Sequence, residues 1–391
     1  MQPLSLYLHF PFCARKCNYC DFNSHPPAPG EMAQYLVALR REIEQRAPLA
    51  EGRAVETVFF GGGTPTLYPV EDLAEVLEGL RGSFRFASER AAVPDTGLEA
   101  CATPEVTCEA NPGTVDEAYL RALREAGVNR LSLGVQSFRD DELRLLGRLH
   151  SADQARAAVA AARAAGFANL SLDLIAGLPG QTLAAWEYNL ASALALAPEH
   201  LSCYGLSLPP GTPLAAAVER CELTPLDEDL SATLWMVTHE TLTAAGYEHY
   251  EVSNYARPGY QCRHNLTYWR NREYLGFGVS AASYWQGNRS VNVADVADYS
   301  RRLAAGESVV AESECLPPAA RLGETLMLGL RLAEGVSLAR LREGFSPDLL
   351  GPLQPIAEEL RQVGLLEITP THWRPTLRGM LLNNRLAGAF V

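Results

Sequence analysis

Along the first half of the chain, short runs rich in Leu, Val and Phe recur between stretches whose apolar positions fall three and four apart. Runs of the first kind read as strands, and stretches of the second kind as amphipathic helices. The strands predicted in this way are Ser5 to Phe10, Thr57 to Phe60, Val106 to Glu109, Arg130 to Val135, Leu170 to Ile175 and Leu201 to Leu208. Between them the helical period predicts Glu31 to Ala47, Val70 to Phe84, Val115 to Ala126, Asp140 to Leu149, Ala152 to Ala165 and Leu183 to Ala197. Ser151 and Gln154 form a capping box before one helix, and Gly127 and Gly166 stand where two others should stop. Near-continuous apolar strands alternating with helices predict an α/β fold, an open or incomplete (β/α)6 barrel with its chemistry at the strand C-termini.

Ala87 to Pro104 mixes Pro, Gly, Asp and Ser and reads as an irregular loop. After Pro209, Pro210, Gly211 and Pro213 the alternation stops, which divides the chain into a barrel over 1–215 and an accessory domain over 216–391. That second part holds an aromatic-rich tract over 247–285 and a tail from Pro318 to the C-terminus. The tail reads as three helices, a hairpin from Leu365 to Pro375 and a last helix, a mostly helical, winged-helix-like order.

Composition narrows the function classes. In 391 residues, 33 Lys and Arg stand against 46 Asp and Glu, a net charge of −13. Such a surface repels a phosphate backbone, so no nucleic-acid partner is expected and the winged-helix order reads as a structural or protein-contact module. No apolar run approaches the roughly 18 residues of a membrane span, and the first strand begins without a secretory-type leader, which predicts a cytoplasmic protein. The nine cysteines are irregularly spaced and do not form a secreted disulfide framework.

Three of them are crowded: Cys13, Cys17 and Cys20, a C-x3-C-x2-C in a loop after the first strand. Three thiols within eight residues of a polar loop pack little as structural cysteines. A zinc site would need a fourth ligand, for which His25 or His9 is placed. The third reading is a [4Fe–4S] cluster held by three thiolates, its remaining iron open to an exogenous ligand.

Beyond the triplet, the second strand runs into Gly61-Gly62-Gly63-Thr64-Pro65, where glycines allow backbone groups to approach a ligand closely. Glu109 closes the third strand, Gln136 follows the fourth, Asp173 lies in the fifth, and Arg148 sits in Gly147-Arg148-Leu149-His150. Together with Tyr7-Leu8-His9-Phe10-Pro11-Phe12-Cys13 and Asp173 to Pro179, these segments resemble the radical S-adenosylmethionine (SAM) superfamily. Within it they are similar to the oxygen-independent coproporphyrinogen III oxidase family. The resemblance implies a [4Fe–4S] cluster on Cys13, Cys17 and Cys20 and SAM on its open iron, with reductive SAM cleavage as the associated chemistry. It also implies that Gly62, Gly63, Thr64, Glu109, Gln136, Arg148 and Asp173 bind SAM, with Tyr7 and Tyr19 beside the cluster.

Two departures from true decarboxylases stand out: Phe22 occupies the place of a fourth cysteine, and little chain precedes Tyr7. Both match the HemW group of heme chaperones, as does His264-Asn265-Leu266-Thr267-Tyr268-Trp269, which resembles that group's H-N-x-x-Y-W motif. This resemblance implies heme at His264, Tyr268 and Trp269, with Cys262 as an alternative thiolate ligand. It further implies transfer to acceptor apo-hemoproteins such as respiratory enzymes, from a heme donor, and it leaves a dimer open. The bland reading of the motif is core aromatics and a hydrogen-bonded structural histidine. The enzyme alternative for the whole chain is radical decarboxylation of coproporphyrinogen III. RNA modification is disfavoured by the charge.

Overall fold

The computed structural model describes residues 3–87 and 103–391, so the loop expected over 87–104 lies, apart from its ends, outside the described residues. Its organising element is a sheet built from β1 (Leu4–Phe10), β2 (Ala54–Gly62), β3 (Arg85–Phe86), β4 (Glu105–Ala110), β5 (Arg130–Gln136), β6 (Leu170–Ala176) and β7 (His200–Gly205). Strand β1 reads Leu-Ser-Leu-Tyr-Leu-His-Phe: Leu4, Leu6, Leu8 and Phe10 are fully buried in the apolar core. Helices α1 (Glu31–Arg46), α2 (Val70–Ser83), α3 (Glu117–Glu125), α4 (Asp140–Leu145), α5 (Ala152–Ala164) and α6 (Leu183–Ala195) follow the strands in turn. Ser5, Tyr7 and His9 take the opposite, inner face, because side chains alternate along a strand. The same alternation places Thr57 and Phe59, Glu105 and Glu109, Arg130 and Ser132, Ser171 and Asp173, and His200, Ser202 and Tyr204 inside. The strands are thus not uniformly apolar but half polar, with the polar half turned into the barrel.

Six of these strands, β1, β2 and β4 to β7, pair in parallel in sequence order. β3 adds a short parallel partner to β2, and one further parallel strand was not legible in the sequence. β10 (Tyr274–Phe277) lies beside β1, with Tyr7 opposite Gly276. It follows α7 (Pro213–Glu219), α8 (Glu228–Ala244), the antiparallel pair β8 (Glu248–Glu251) and β9 (Asn254–Ala256), and α9 (Arg263–Trp269). β9 pairs with β7, whereas β11 (Ala282–Trp285), β12 (Asn288–Asn292) and β13 (Val310–Cys315) extend the sheet beyond β10, with α10 (Val296–Ala305) inserted between β12 and β13. The sheet therefore ends on β8 at one side and β13 at the other and does not close. It also runs on through residues 248–315, past the boundary expected near 215, so the aromatic tract belongs to the same sheet as the barrel strands.

The tail has its own apolar core around Leu326, Leu330, Trp373 and Leu386. Its elements are α11 (Pro318–Gly329), β14 (Val336–Ser337), α12 (Leu338–Gly344), α13 (Pro347–Leu350), α14 (Leu353–Gln362), β15 (Leu366–Ile368), β16 (His372–Pro375), α15 (Leu377–Leu381) and α16 (Asn383–Gly388). A short β14 adds a third strand to the expected hairpin. Among the described residues no helix is long and apolar enough to cross a membrane.

Candidate functional site

The loop after β1 carries Cys13, Cys17 and Cys20, all half-buried, whereas Cys108, Cys203 and Cys262 are buried in packed surroundings. Backbone bonds fix the loop at both ends: Cys13 N donates to His25 O at 3.1 Å and Asn18 N to Leu146 O at 3.0 Å. The three thiols face a cleft of about 380 Å3. Arg148 Nη1 reaches Cys17 Sγ at 3.4 Å, and Thr64 Oγ1 lies 3.4 Å from Cys13 Sγ. Burial raises the Cys20 thiol above its ordinary value. Among the described residues no three His, Cys, Asp or Glu side chains converge tightly enough to hold a single metal ion. Both candidate fourth zinc ligands are committed elsewhere: His25 Nε2 faces Glu31 at 3.1 Å, and His9 lies between the Tyr7 hydroxyl and Asn23 O.

The glycine run at the end of β2 is pressed against this loop. Gly63 N donates to Phe10 O at 2.7 Å and Thr64 N to Phe12 O at 2.8 Å. Gly62 has φ +108°, a region that favours glycine, and a Cβ on Gly63 would lie 2.7 Å from Phe12 O and 2.8 Å from Phe10 O. Both obstacles are backbone atoms at and just beyond the end of β1, so they cannot swing aside. Gly63→Ala is accordingly expected to cost about 2 kcal/mol, within the range for overpacking, and to lower the denaturation midpoint; an unchanged midpoint would refute the clash.

Glu109, Gln136, Arg148, Asp173 and Tyr19 line the same cleft as the three cysteines, together with Gly62, Gly63 and Thr64. Gln136 is aimed there by an irregularity: pairing of β5 with β6 shifts between Leu133 and Gln136, and Gln136 takes a left-handed φ of +67°. Arg148 Nη2 donates to Gly134 O at 2.7 Å, while its buried Nε has no partner among the described residues. Glu109 accepts from Gly62 N at 3.1 Å, and burial together with the nearby Asp173 pushes its carboxyl up to about 8. Asp173 is raised by burial despite accepting from Ser132 and Ser171. Burial also raises the Tyr19 hydroxyl. Tyr7, expected beside the cluster, lines two neighbouring cavities instead and donates toward or accepts from His9 Nδ1 at 3.0 Å.

The H-N-x-x-Y-W segment is α9, which joins β9 to β10 and packs against β2. Glu105, on the inner face of β4, fixes its start: Oε1 accepts from His264 N at 3.0 Å and Oε2 from Arg263 N at 3.1 Å. His264 is fully buried, lies stacked on Phe59, and engages both ring nitrogens, Nδ1 with Thr57 Oγ1 and Nε2 with the hydroxyl of Tyr268, each at 2.8 Å. Burial, reinforced by the Arg130 charge, pushes its pKa down to about 3, so the ring is neutral. Its environment is that of a hydrogen-bonded structural histidine. Cys262 is likewise buried, with its thiol pushed up to about 12.

Beneath the cleft, Arg130, Ser132, Asp173, Ser202 and Tyr204 meet Tyr7, Phe59, His264 and Tyr268 around an inner cavity of about 210 Å3. A larger side cavity, about 550 Å3, lies between α9, β10 to β12 and α11, lined by Tyr268, Trp269, Arg272, Tyr274, Arg289 and Leu328. It shares Phe22, Gly62 and Glu109 with the cysteine cleft, so the two spaces adjoin. Phe22 is 59% exposed at that junction. Of the inward polar set, sequence reasoning named Tyr7, Glu109 and Asp173 but missed Arg130, Ser132, Ser202 and Tyr204, although their period-two alternation was visible, and it missed Arg272 and Arg289, which carry no local pattern.

Comparison with known proteins agrees with this geometry. Residues 7–191 match the radical SAM superfamily and residues 316–382 the HemN C-terminal domain. The heme chaperone HemW of Bacillus subtilis is 35% identical over 99% of both chains, and HemW of Escherichia coli is 41% identical over 72% of this chain and 70% of that one. Among solved structures, coproporphyrinogen III oxidase (HemN) from Escherichia coli, described as a radical SAM enzyme, superposes with a TM-score of 0.83 at 26% identity, covering 99% of this chain and 90% of that one.

Proposed function

Because this chain belongs to the HemW family of the radical SAM superfamily, we propose that it is a heme chaperone, which binds heme and hands it to acceptor apo-hemoproteins such as respiratory enzymes. The observation that carries this reading is the side cavity: aromatic faces of α9 line it, and it adjoins the cysteine cleft at Phe22, Gly62 and Glu109. Flat aromatic walls and a few polar groups suit a macrocycle. In this reading Tyr268 and Trp269 contact the heme. His264, with both nitrogens engaged, positions Tyr268 and α9 instead of offering a lone pair to iron.

Cys13, Cys17 and Cys20 would hold a [4Fe–4S] cluster. The donor set fits: three half-buried thiols face a roomy cleft and are backed by a glycine cradle that a Cβ would fill. When bound with SAM, such a cluster supplies one-electron chemistry at the sulfonium. The chain's own residues do the holding. Arg148 is a permanently charged partner for a carboxylate, the Gly62–Thr64 backbone allows close approach, Glu109 and Asp173 accept hydrogen bonds from hydroxyls, and Gln136 and Tyr19 close the walls.

An anaerobic hemin titration of the cluster-reconstituted protein tests the reading. The expected result is a saturable, near-stoichiometric change in the visible spectrum, followed by loss of that spectrum to an added apo-hemoprotein. His264→Ala should weaken binding by releasing α9. Absence of saturable binding would overturn the chaperone reading. Formation of protoporphyrinogen from coproporphyrinogen III would favour the second reading, a decarboxylase, which the overall likeness to that solved enzyme keeps in view.

A further inference from the structure

The side cavity contains two guanidinium groups whose surroundings differ. Arg289 is satisfied: Nε donates to Glu324 Oε1 at 2.7 Å, Nη2 donates to Asn271 Oδ1 at 2.8 Å, and the group lies over the Tyr284 ring. Arg272 is not. Among the described residues its side chain makes no hydrogen bond and no ion pair, although it is only partly exposed. The two acids closest to it in electrostatic terms are already taken, Glu56 by Arg263 at 3.0 Å and Glu334 by Arg270 at 2.9 Å. Its other charged neighbours, Arg270 and Arg340, are cations, and together with burial they hold the Arg272 guanidinium below its usual range.

A partly desolvated cation with cationic neighbours is costly, and in a chain of net charge −13 acidic partners are plentiful elsewhere. The cation faces a cavity whose walls are Tyr268, Trp269 and Tyr274, with Tyr268 and Tyr274 set edge-to-face at 4.7 Å between centroids. Among the described residues the buried indole N–H of Trp269 also has no hydrogen-bond partner. Aromatic walls ending in one uncompensated guanidinium call for a flat apolar ligand that carries a carboxylate.

We propose that Arg272 is the anion anchor of this cavity and pairs with a propionate of the tetrapyrrole. The inference rests on the heme reading and adds an orientation to it. With the carboxylate at Arg272, beside α11, the opposite edge of the macrocycle faces Phe22 and Gly62, where the cavity meets the cysteine cleft. Arg272 is then what distinguishes a free dicarboxylic porphyrin from an esterified one.

The test compares hemin with hemin dimethyl ester on the full chain, by absorbance titration, for wild type, Arg272→Gln and Arg272→Lys. A charge-assisted pair predicts that wild type binds hemin roughly tenfold or more tighter than Arg272→Gln does, that Arg272→Lys recovers most of the loss, and that the ester binds wild type and Arg272→Gln alike. Hemin affinity unchanged in Arg272→Gln, or an equal loss for acid and ester, overturns the anchor while leaving heme binding intact. Displacement of hemin by excess SAM would assign the guanidinium to a different carboxylate and also overturn it. If Arg272→Gln does not fold, the wild-type comparison decides alone: hemin must bind more tightly than its ester. Failure of wild type to bind either porphyrin overturns the chaperone reading itself.

Discussion

Replacing Cys13, Cys17 or Cys20 singly by serine is expected to abolish the broad visible absorbance and the bound iron of the reconstituted protein, while Cys108→Ser, Cys203→Ser and Cys262→Ser keep both. The two groups of cysteines differ in what surrounds them. The first three face the cleft, and Arg148 Nη1 lies 3.4 Å from Cys17 Sγ. The other three are buried in packed surroundings, and desolvation raises their thiols, that of Cys262 up to about 12. A cubane held by three thiolates has no spare protein ligand, so the loss should be near complete and not graded. The fold should survive, because the half-buried triplet contributes nothing to the apolar cores. Full absorbance in any one of the three serine variants would sink the assignment.

How far the sequence could be read follows from which interactions are local. The six βα units were legible because short runs rich in Leu, Val and Phe recur between stretches of helical period; the Ser151 and Gln154 capping box forms as the spacing predicts. Glu109 and Gln136 were legible because they stand at the ends of recognisable strands, and Arg148, in the loop after α4, through the resemblance of its segment. What could not be read depends on contacts distant in sequence. β10 pairs with β1 across more than half the chain, and nothing in Tyr274 to Phe277 announces that partner. α9 is fixed by Glu105, an acidic residue that in sequence looks like a solvated strand end. Tyr7 was expected beside the cluster by resemblance, yet strand alternation turns it toward the inner and side cavities. The strand expected over Leu201 to Leu208 stops at Gly205, since the following residues extend into the loop before α7 and no longer pair in register.

The same inward-facing carboxylates that equip the cleft should weaken the fold as pH rises, and Glu109→Gln should remove much of that effect. Burial and the Asp173 charge push the Glu109 carboxyl up from 4.5 to about 8. Between those values the folded chain holds a proton that the unfolded chain has lost, so unfolding releases it and stability falls as pH rises through the window. Below about 4.5 both states are protonated and the contribution vanishes. Glutamine mimics the protonated acid and keeps an oxygen to accept from Gly62 N. Water in the cleft screens part of a shift worth about 1.4 kcal/mol per pH unit. On that basis Glu109→Gln should be more stable than wild type by about 2 kcal/mol at pH 8 and nearly equal to it at pH 4.5. Urea unfolding of the ligand-free protein across this range provides the measurement. Parallel pH profiles for the two proteins would show that Glu109 does not carry the effect. Profiles that diverge as expected would place the proton-holding carboxyl at Glu109, the acceptor that in the proposed reading meets the hydroxyls of SAM.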